Sequence, residues 1–374
     1  MKKEKTVYLL GAGFSKPAGA PLGDELLSSI LDFHEIKVSF EKYWRLSLLD
    51  SLLSHWFGYV RNWNFEQILT ILQSRQLFEI VVGDKLKKPP FNKKSEDVSD
   101  DLIWAAMFIL NKSIHLNQKV RKDYESFVDS LDSDDSIITL NYDLILENIF
   151  PKMDRLFSVC LPGTYLQTTM SMYKPESPSI KNRPITPILK IHGSCNYVGC
   201  KTCGYTKVTS KKIVARMLLP FDKQVDTQPI CPKCNKQKLR PAIVPPNYLK
   251  VSSLDQVRAL WPRAADELRK ADRLVVIGCS LSPMDVDLDI LLRATISRKA
   301  NIPIDFVCTK YDPVLASRCR SIFPWSRIRF YEGGFEQWAE DCGLEAECER
   351  EYKYELALKK DKLRRKKSKL PNSN

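Results

Sequence analysis

A doubly wound, mainly parallel α/β sheet is the fold class that three features of the sequence predict. Near the start, the apolar run Val7–Leu10 stops at Gly11-Ala12-Gly13, and a helical pattern opens near Gly23–Leu27. That is the strand–turn–helix order of a first crossover. Further on, short apolar, β-branched runs alternate with helical patterns, as strands buried on both faces do. Between them, two Cys-x-x-Cys pairs mark off a small separate module.

With 374 residues the chain can form one large domain with a subdomain, or two domains. Its 44% hydrophobic and 28% charged content is that of a soluble globular protein. No apolar run is long enough for a bilayer, and Met1–Lys5 leads into a strand without a signal-peptide core or cleavage site. The expectation is a cytoplasmic protein with no membrane partner. The net charge of +13 is uneven: Lys359–Lys369 carries eight basic residues and one acid. A solvated tail explains this run; neutralising RNA or DNA phosphates is the alternative. The eleven cysteines are odd in number, which argues against a disulfide framework.

In the first turn, Gly11 suits a tight bend and Gly13 a close backbone approach to a phosphate, with Gly19 keeping the next loop open. The spacing is not that of a G-x-G-x-x-G fingerprint, so a simple turn remains the other reading. Asp24–His34 reads as an amphipathic helix. Leu46, Leu49 and Leu53, then Phe65–Phe78, then Leu102–Leu110 repeat apolar residues at helical spacing, which predicts a helical insertion. Lys85–Asp101 reads as an exposed loop within it. Trp44, Trp56, Trp63 and Trp104 are expected in a core or an interface.

Ile137 and Ile138 begin a buried strand whose carboxyl end carries Thr139, Asn141 and Asp143, before a helix over Leu144–Phe150. Ligands of parallel α/β sheets bind at that end, although Asp143 can equally cap the helix. Ile188–Ile191 is a strand running into His192-Gly193-Ser194; a lone His here is as readily structural. Cys200-x-x-Cys203 and Cys231-x-x-Cys234 then form paired knuckles, the arrangement tetrahedral zinc requires. Four thiolates leave no open coordination position, so the metal should be structural.

Lys238–Asn247 is expected to return the chain to the main sheet. Leu254–Lys270 is helical with Pro262 as a kink or fresh start, Leu274–Leu281 a buried strand and turn, and Met284–Ser297 a helix. Pro303–Val307 is a strand, Pro313–Phe323 a helix, and Arg327–Tyr331 a last strand.

In this order the pieces resemble the sirtuin family. Gly11-Ala-Gly13 with Ser15 and Gly19 resembles its first nucleotide loop, Thr139-Leu-Asn-Tyr-Asp143 its Thr-x-Asn-x-Asp segment, and Ile191-His-Gly-Ser194 its catalytic His-Gly. The two knuckles, Leu239-Arg-Pro-x-Ile-Val244 and Gly278-Cys-Ser-Leu281 complete the series. The resemblance implies a Rossmann-like NAD-binding domain over 1–34, 136–195 and 240–345. With it come a helical insertion over 35–135, a four-cysteine zinc-ribbon module over 196–239, and a helical or disordered basic tail over 346–374. Carried over residue by residue, Asn141 would hold the nicotinamide ribose and the attacking water. Asp143 would orient that ribose, and His192 would act as general base on its hydroxyls. Ala12, Gly13 and Ser15 would line the phosphates and Gly278 and Ser280 the adenosine side, with Gly11, Phe14, Thr139 and Leu281 also in the cofactor-binding set. The four cysteines Cys200, Cys203, Cys231 and Cys234 would hold structural zinc, with NAD as substrate.

The departures bear on the reaction. A lysine deacylase needs an acyl-peptide to add as a strand beside the zinc module. Here Ile-Val is followed by Pro245-Pro246-Asn247, and two prolines remove two backbone donors. Pro21-Leu22-Gly23 replaces the usual Asp-Phe-Arg, Leu140 stands where Gln is usual, and Cys308 lies near an Asn position. These departures resemble bacterial sirtuin-like NAD hydrolases of anti-phage defence, expected to be homo-oligomeric or controlled by a regulatory partner protein. The alternatives are an NAD-dependent lysine deacylase and a non-catalytic NAD or ADP-ribose sensor.

Overall fold

The computed structural model describes residues 4–32, 53–55, 58, 63–73, 95–161, 166–168, 171–173, 183–200, 202–209, 230–237, 239–244 and 255–340. Trp44, Trp56, Leu46, Leu49, Pro245-Pro246-Asn247, Cys342, Cys348 and the basic tail lie outside them.

Twelve strands are described. They are β1 (Thr6–Leu10), β2 (Ser136–Thr139), β3 (Leu156–Ser158), β4 (Leu166–Thr168), β5 (Ser171–Tyr173), β6 (Ile185–Lys190), β7 (Gly193–Gly199), β8 (Thr206–Val208), β9 (Arg240–Ile243), β10 (Arg273–Ile277), β11 (Pro303–Val307) and β12 (Arg327–Tyr331). Nine of them form one sheet in the order β12-β11-β10-β1-β2-β6-β3-β4-β5. From β12 through β3 every neighbouring pair is parallel; β4 and β5 extend that edge antiparallel. From β1 the chain moves one way to β2 and later the other way through β10, β11 and β12. The order therefore reverses between β1 and β10, which opens a crevice at the strands' carboxyl ends. The strands are apolar because both faces are covered: Val7, Leu10, Ile137, Ile138, Leu274 and Val276 are all fully enclosed.

Helices cover each face. Gln118–Ser130, Ile145–Ile149 and Gly334–Glu340 pack together, as do Leu260–Lys270, Val286–Ala294 and Pro313–Ile322. Tyr8, Phe14, Tyr124, Phe127, Phe335 and Trp338 interlock, mostly edge-to-face, between β1 and the first group. Among the described residues no helix is long and apolar enough to cross a membrane.

The second sheet, β8-β7-β9, is antiparallel. It sits between two environments: Tyr197, Val208 and Ala242 join the main core, whereas Val198 and Leu239 pack with the four cysteines.

Several sequence expectations change. β9 pairs with β7 in the small sheet and does not return the chain to the main one. The stretch expected as loop through Asp101 turns helical at Ser95 and continues to Ser113. Its Val98, Leu102, Ala105 and Ala106 fill a helical core, which decides against a loop. The helix after β2 is only Ile145–Ile149 before a 3-10 turn, and Asp255–Arg258 and Leu260–Lys270 are two helices, the second starting just before Pro262. Strands β3–β5 and the helix Gln118–Ser130 add to the expected elements. Among the described residues the buried apolar side chains fall into separate clusters. Ala20–Leu31 share the helical core with Phe65–Leu72 and Val98–Leu110, while Val120–Leu131 belong to the main sheet.

Candidate active site

The site begins where β1 and β10 end together. Gly11 N–H donates to the Ile277 carbonyl at 2.9 Å, and Gly13 N–H donates to the Gly278 carbonyl at 2.9 Å. Gly278 has φ +60°, and a Cβ there would lie 2.3 Å from Phe14 N and 2.4 Å from the Gly13 carbonyl carbon. The glycines thus let two loops of the switch-point crevice pack backbone to backbone. The Gly13 N–H is thereby spent on Gly278. At Gly19, φ +93°, a Cβ would stand 2.4 Å from the Ser113 carbonyl.

Phe14 follows in the same turn. Its ring is buried against Tyr124 and Phe335, its N–H donates to the Gly11 carbonyl, and its carbonyl accepts from the Tyr124 hydroxyl at 2.7 Å. It supports the turn from behind. Ala12 and Ser280 are exposed, and Leu281 is buried with φ +46°, unusual for a branched residue.

Ser15 meets Asn141 and Asp143 although more than a hundred residues separate it from either. The Asn141 side-chain amide donates to the Gly11 carbonyl at 2.8 Å and to Ser15 Oγ at 2.9 Å. Ser15 in turn donates to Asp143 Oδ2 at 2.6 Å. The chain of donors runs one way, toward the carboxylate, and leaves Asn141 Oδ1 as the acceptor available to a ligand. The Asp143 second oxygen accepts from Ile145 N–H at 3.0 Å, so the carboxylate both turns the chain into its helix and holds Ser15. Thr139 is buried, and its Oγ1 accepts from Asn141 N–H at 3.1 Å, fixing the turn from below.

His192 follows β6 as Asn141 follows β2. Thr139 is in register with Lys190, and Ile191 N–H donates to the Thr139 carbonyl at 3.2 Å. The two residues therefore take equivalent places on neighbouring strand ends. His192 is 3% exposed, its ring 6.1 Å from that of Trp261. Gly193 has φ +87°, and a Cβ there would stand 2.3 Å from the Ala242 carbonyl, so glycine is required where the chain crosses into the small sheet.

Three supporting residues escaped the sequence reading. Lys190 and Glu147 are buried together at 2.9 Å, and the Lys190 ammonium also donates to the Asp143 carbonyl. Tyr142, between Asn141 and Asp143, donates its hydroxyl to the Val244 carbonyl at 2.7 Å. No local motif marks these partners; each pairing spans at least 43 residues.

The four cysteines converge. All four sulfurs lie within 4.8 Å of one another, with Cys200–Cys234 at 3.6 Å and Cys203–Cys231 at 3.5 Å. Four thiolates about 2.3 Å from one tetrahedral ion stand about 3.8 Å apart, so the set fits such an ion. Each knuckle closes alike: Gly204 N–H returns to the Cys200 carbonyl and Asn235 N–H to the Cys231 carbonyl, both residues at positive φ. Burial alone would raise the Cys200 thiol, but the N–H groups of Cys203 and Thr202 together with the Cys234 and Cys203 thiols hold it below its ordinary value. The four cysteines can hold a metal ion.

A family model described as a SIR2-like domain matches residues 135–329, just over half of the chain. The chain belongs to the SIR2-like family. The matched region of this SIR2-like protein runs from before β2 to within β12 and takes in Asn141, Asp143, His192 and the four cysteines. Among solved structures the chain is similar to a Sir2 homologue in complex with NAD, with 15% identity and TM-score 0.43, covering 91% of this chain and 88% of that one. It is also similar to a mutant Sir2 homologue with ADP-ribose, with 15% identity and TM-score 0.44, covering 91% of each chain. No curated protein matches.

Proposed function

We propose that this SIR2-like chain is an NAD hydrolase that cleaves NAD to nicotinamide and ADP-ribose. The observation that carries the choice is the state of Val244. Its N–H is already spent on the His192 carbonyl at 2.7 Å, and its carbonyl accepts from Tyr142. Pro245 and Pro246 follow, and neither has an N–H. Three consecutive residues, following β9 in the chain, thus offer an incoming peptide strand no donor, which argues against a deacylase and for water as the acceptor.

In this reading NAD lies in the crevice between the β1 and β10 loops. Cleavage of its glycosidic bond leaves a cationic, oxocarbenium-like ribose. Asn141 Oδ1, held by two donor bonds, receives the ribose or the attacking water, and the Asp143 carboxylate stabilises positive charge through the Ser15 relay. His192 takes the proton of a ribose hydroxyl or of water. A sensor would need no such base. The four cysteines would hold structural zinc, which would fix the small sheet that begins at Gly193.

The large helical core suits a regulated enzyme, since unrestrained NAD loss is toxic. We place the protein with bacterial NAD-depleting effectors of anti-phage defence, acting as a homo-oligomer or under a regulatory partner. Purified protein given NAD without any acyl-peptide should release nicotinamide. Asn141→Ala and His192→Ala should each lower the rate by about a hundredfold or more, followed by chromatography. Nicotinamide appearing only when acetylated peptide is added would assign the deacylase instead.

A further inference from the structure

Three backbone segments around the proposed centre are joined in a closed circuit. The Tyr142 carbonyl accepts from Cys195 N–H at 2.8 Å, which ties the Asn141–Asp143 turn to β7. The His192 carbonyl accepts from Val244 N–H, which ties the root of β7 to the end of β9. The Tyr142 hydroxyl donates to the Val244 carbonyl and closes the ring. Ser194 Oγ, also on the Tyr142 carbonyl at 3.4 Å, and the pairing of β7 with β9 back the first two links, whereas the Tyr142 hydroxyl is the hydrogen bond that joins the Asn141–Asp143 turn to the end of β9. The flank of this circuit is apolar: Met107 and Ile103 of the helix Ser95–Ser113 pack with Tyr142, Cys195 and Ile243. The aromatic ring is thus held by packing, and the hydroxyl supplies the hydrogen bond to the strand end. Burial, with the Glu66 carboxylate adding to it, pushes the phenol far above its ordinary range, so it remains a donor at any physiological pH.

We propose that Tyr142 is a positioning residue that selects the acceptor: by latching the Val244 carbonyl it keeps the end of β9 closed on the Asn141 turn, which favours water over larger nucleophiles. This rests on the hydrolase reading. The Tyr142 hydroxyl is spent on Val244, so it acts through the segments that carry Asn141 and His192. Its loss should therefore change what attacks the ribose and how fast, with little effect on how NAD is held.

The test uses the full chain with NAD in aqueous methanol, comparing wild type with Tyr142→Phe, which keeps the ring and removes only the hydroxyl. In each product the bond from ribose to nicotinamide breaks. The new carbon–oxygen bond comes from water, giving ADP-ribose, or from methanol, giving the O-methyl glycoside, and the nucleophile gives up its proton. The methanolysis-to-hydrolysis ratio should rise roughly threefold or more, the scale of one lost hydrogen bond. The kcat should fall about tenfold with KM for NAD nearly unchanged. The ratio is taken within one mixture, so loss of folded protein cannot move it. Val244→Pro cuts the neighbouring link to His192 without touching the ring and should shift the ratio the same way. A wild-type ratio in either variant, or a rise in KM with the ratio unmoved, overturns the proposal. A wild type that releases no nicotinamide brings down the hydrolase reading and this proposal with it. That result is distinct from a hydrolysing wild type whose ratio the variants leave alone.

Discussion

The ammonium of Lys190 is 2% exposed and the Glu147 carboxylate 5%, a pair with almost no water. Enclosing both charges is expensive, and their attraction with the extra bond to the Asp143 carbonyl roughly offsets it. Removing one partner is another matter. Lys190→Met should destabilise the chain by about 3–5 kcal/mol in urea unfolding, because Glu147 is then buried alone. Lys190→Met with Glu147→Leu should recover most of that loss. If the double variant stays as unstable as the single, the pair is not the source. In the double variant the Asp143 carbonyl still lacks its donor, so nicotinamide release should remain impaired when stability returns. The sequence could display Thr139, Asn141, Asp143 and His192, because polar residues at the ends of apolar runs stand out. It could not display Lys190, which reads as one charge in a strand, or Phe14, whose ring turns into an aromatic core made by residues over a hundred positions away.

At the level of elements, the glycine loops after β1 and β10 behave as one unit. Gly278→Ala combines a left-handed backbone with a Cβ 2.3 Å from Phe14 N. Both loops would have to separate. Loss of about 2–4 kcal/mol and at least roughly tenfold weaker NAD binding by calorimetry are the expected results. An alanine variant with unaltered affinity would mean that the contact between the loops does not shape the crevice. Parallel strands were legible because enclosure on both faces demands unbroken apolar runs such as Leu274–Ile277. β4 and β5 were not: three residues each, Leu166–Thr168 and Ser171–Tyr173, are too short to establish a period. The Gln118–Ser130 helix shows its apolar face plainly, but periodicity does not say which of two cores that face meets. The knuckles were the most readable feature of all, since their spacing is fixed by coordination geometry, and Gly204 and Asn235 supply the left-handed residue after each.

Across the whole molecule, a nine-stranded sheet, a helical core and a three-stranded sheet meet around Tyr142, Cys195 and Met107. The cysteine cluster is small, with Val198 and Leu239 as its buried apolar companions, too little to stand without the ion. One metal ion per chain is therefore expected by elemental analysis, and a chelator or Cys203→Ser should expose the 200–239 region to proteolysis while the main sheet stays resistant. Full resistance after metal loss would show that the thiols close the module unaided. β7 carries a last implication. A single uninterrupted strand has its first residue next to the histidine and its final one next to a thiolate. The four-cysteine module and the His192 loop are therefore joined by only seven residues, so whatever fixes the module also fixes where that loop begins.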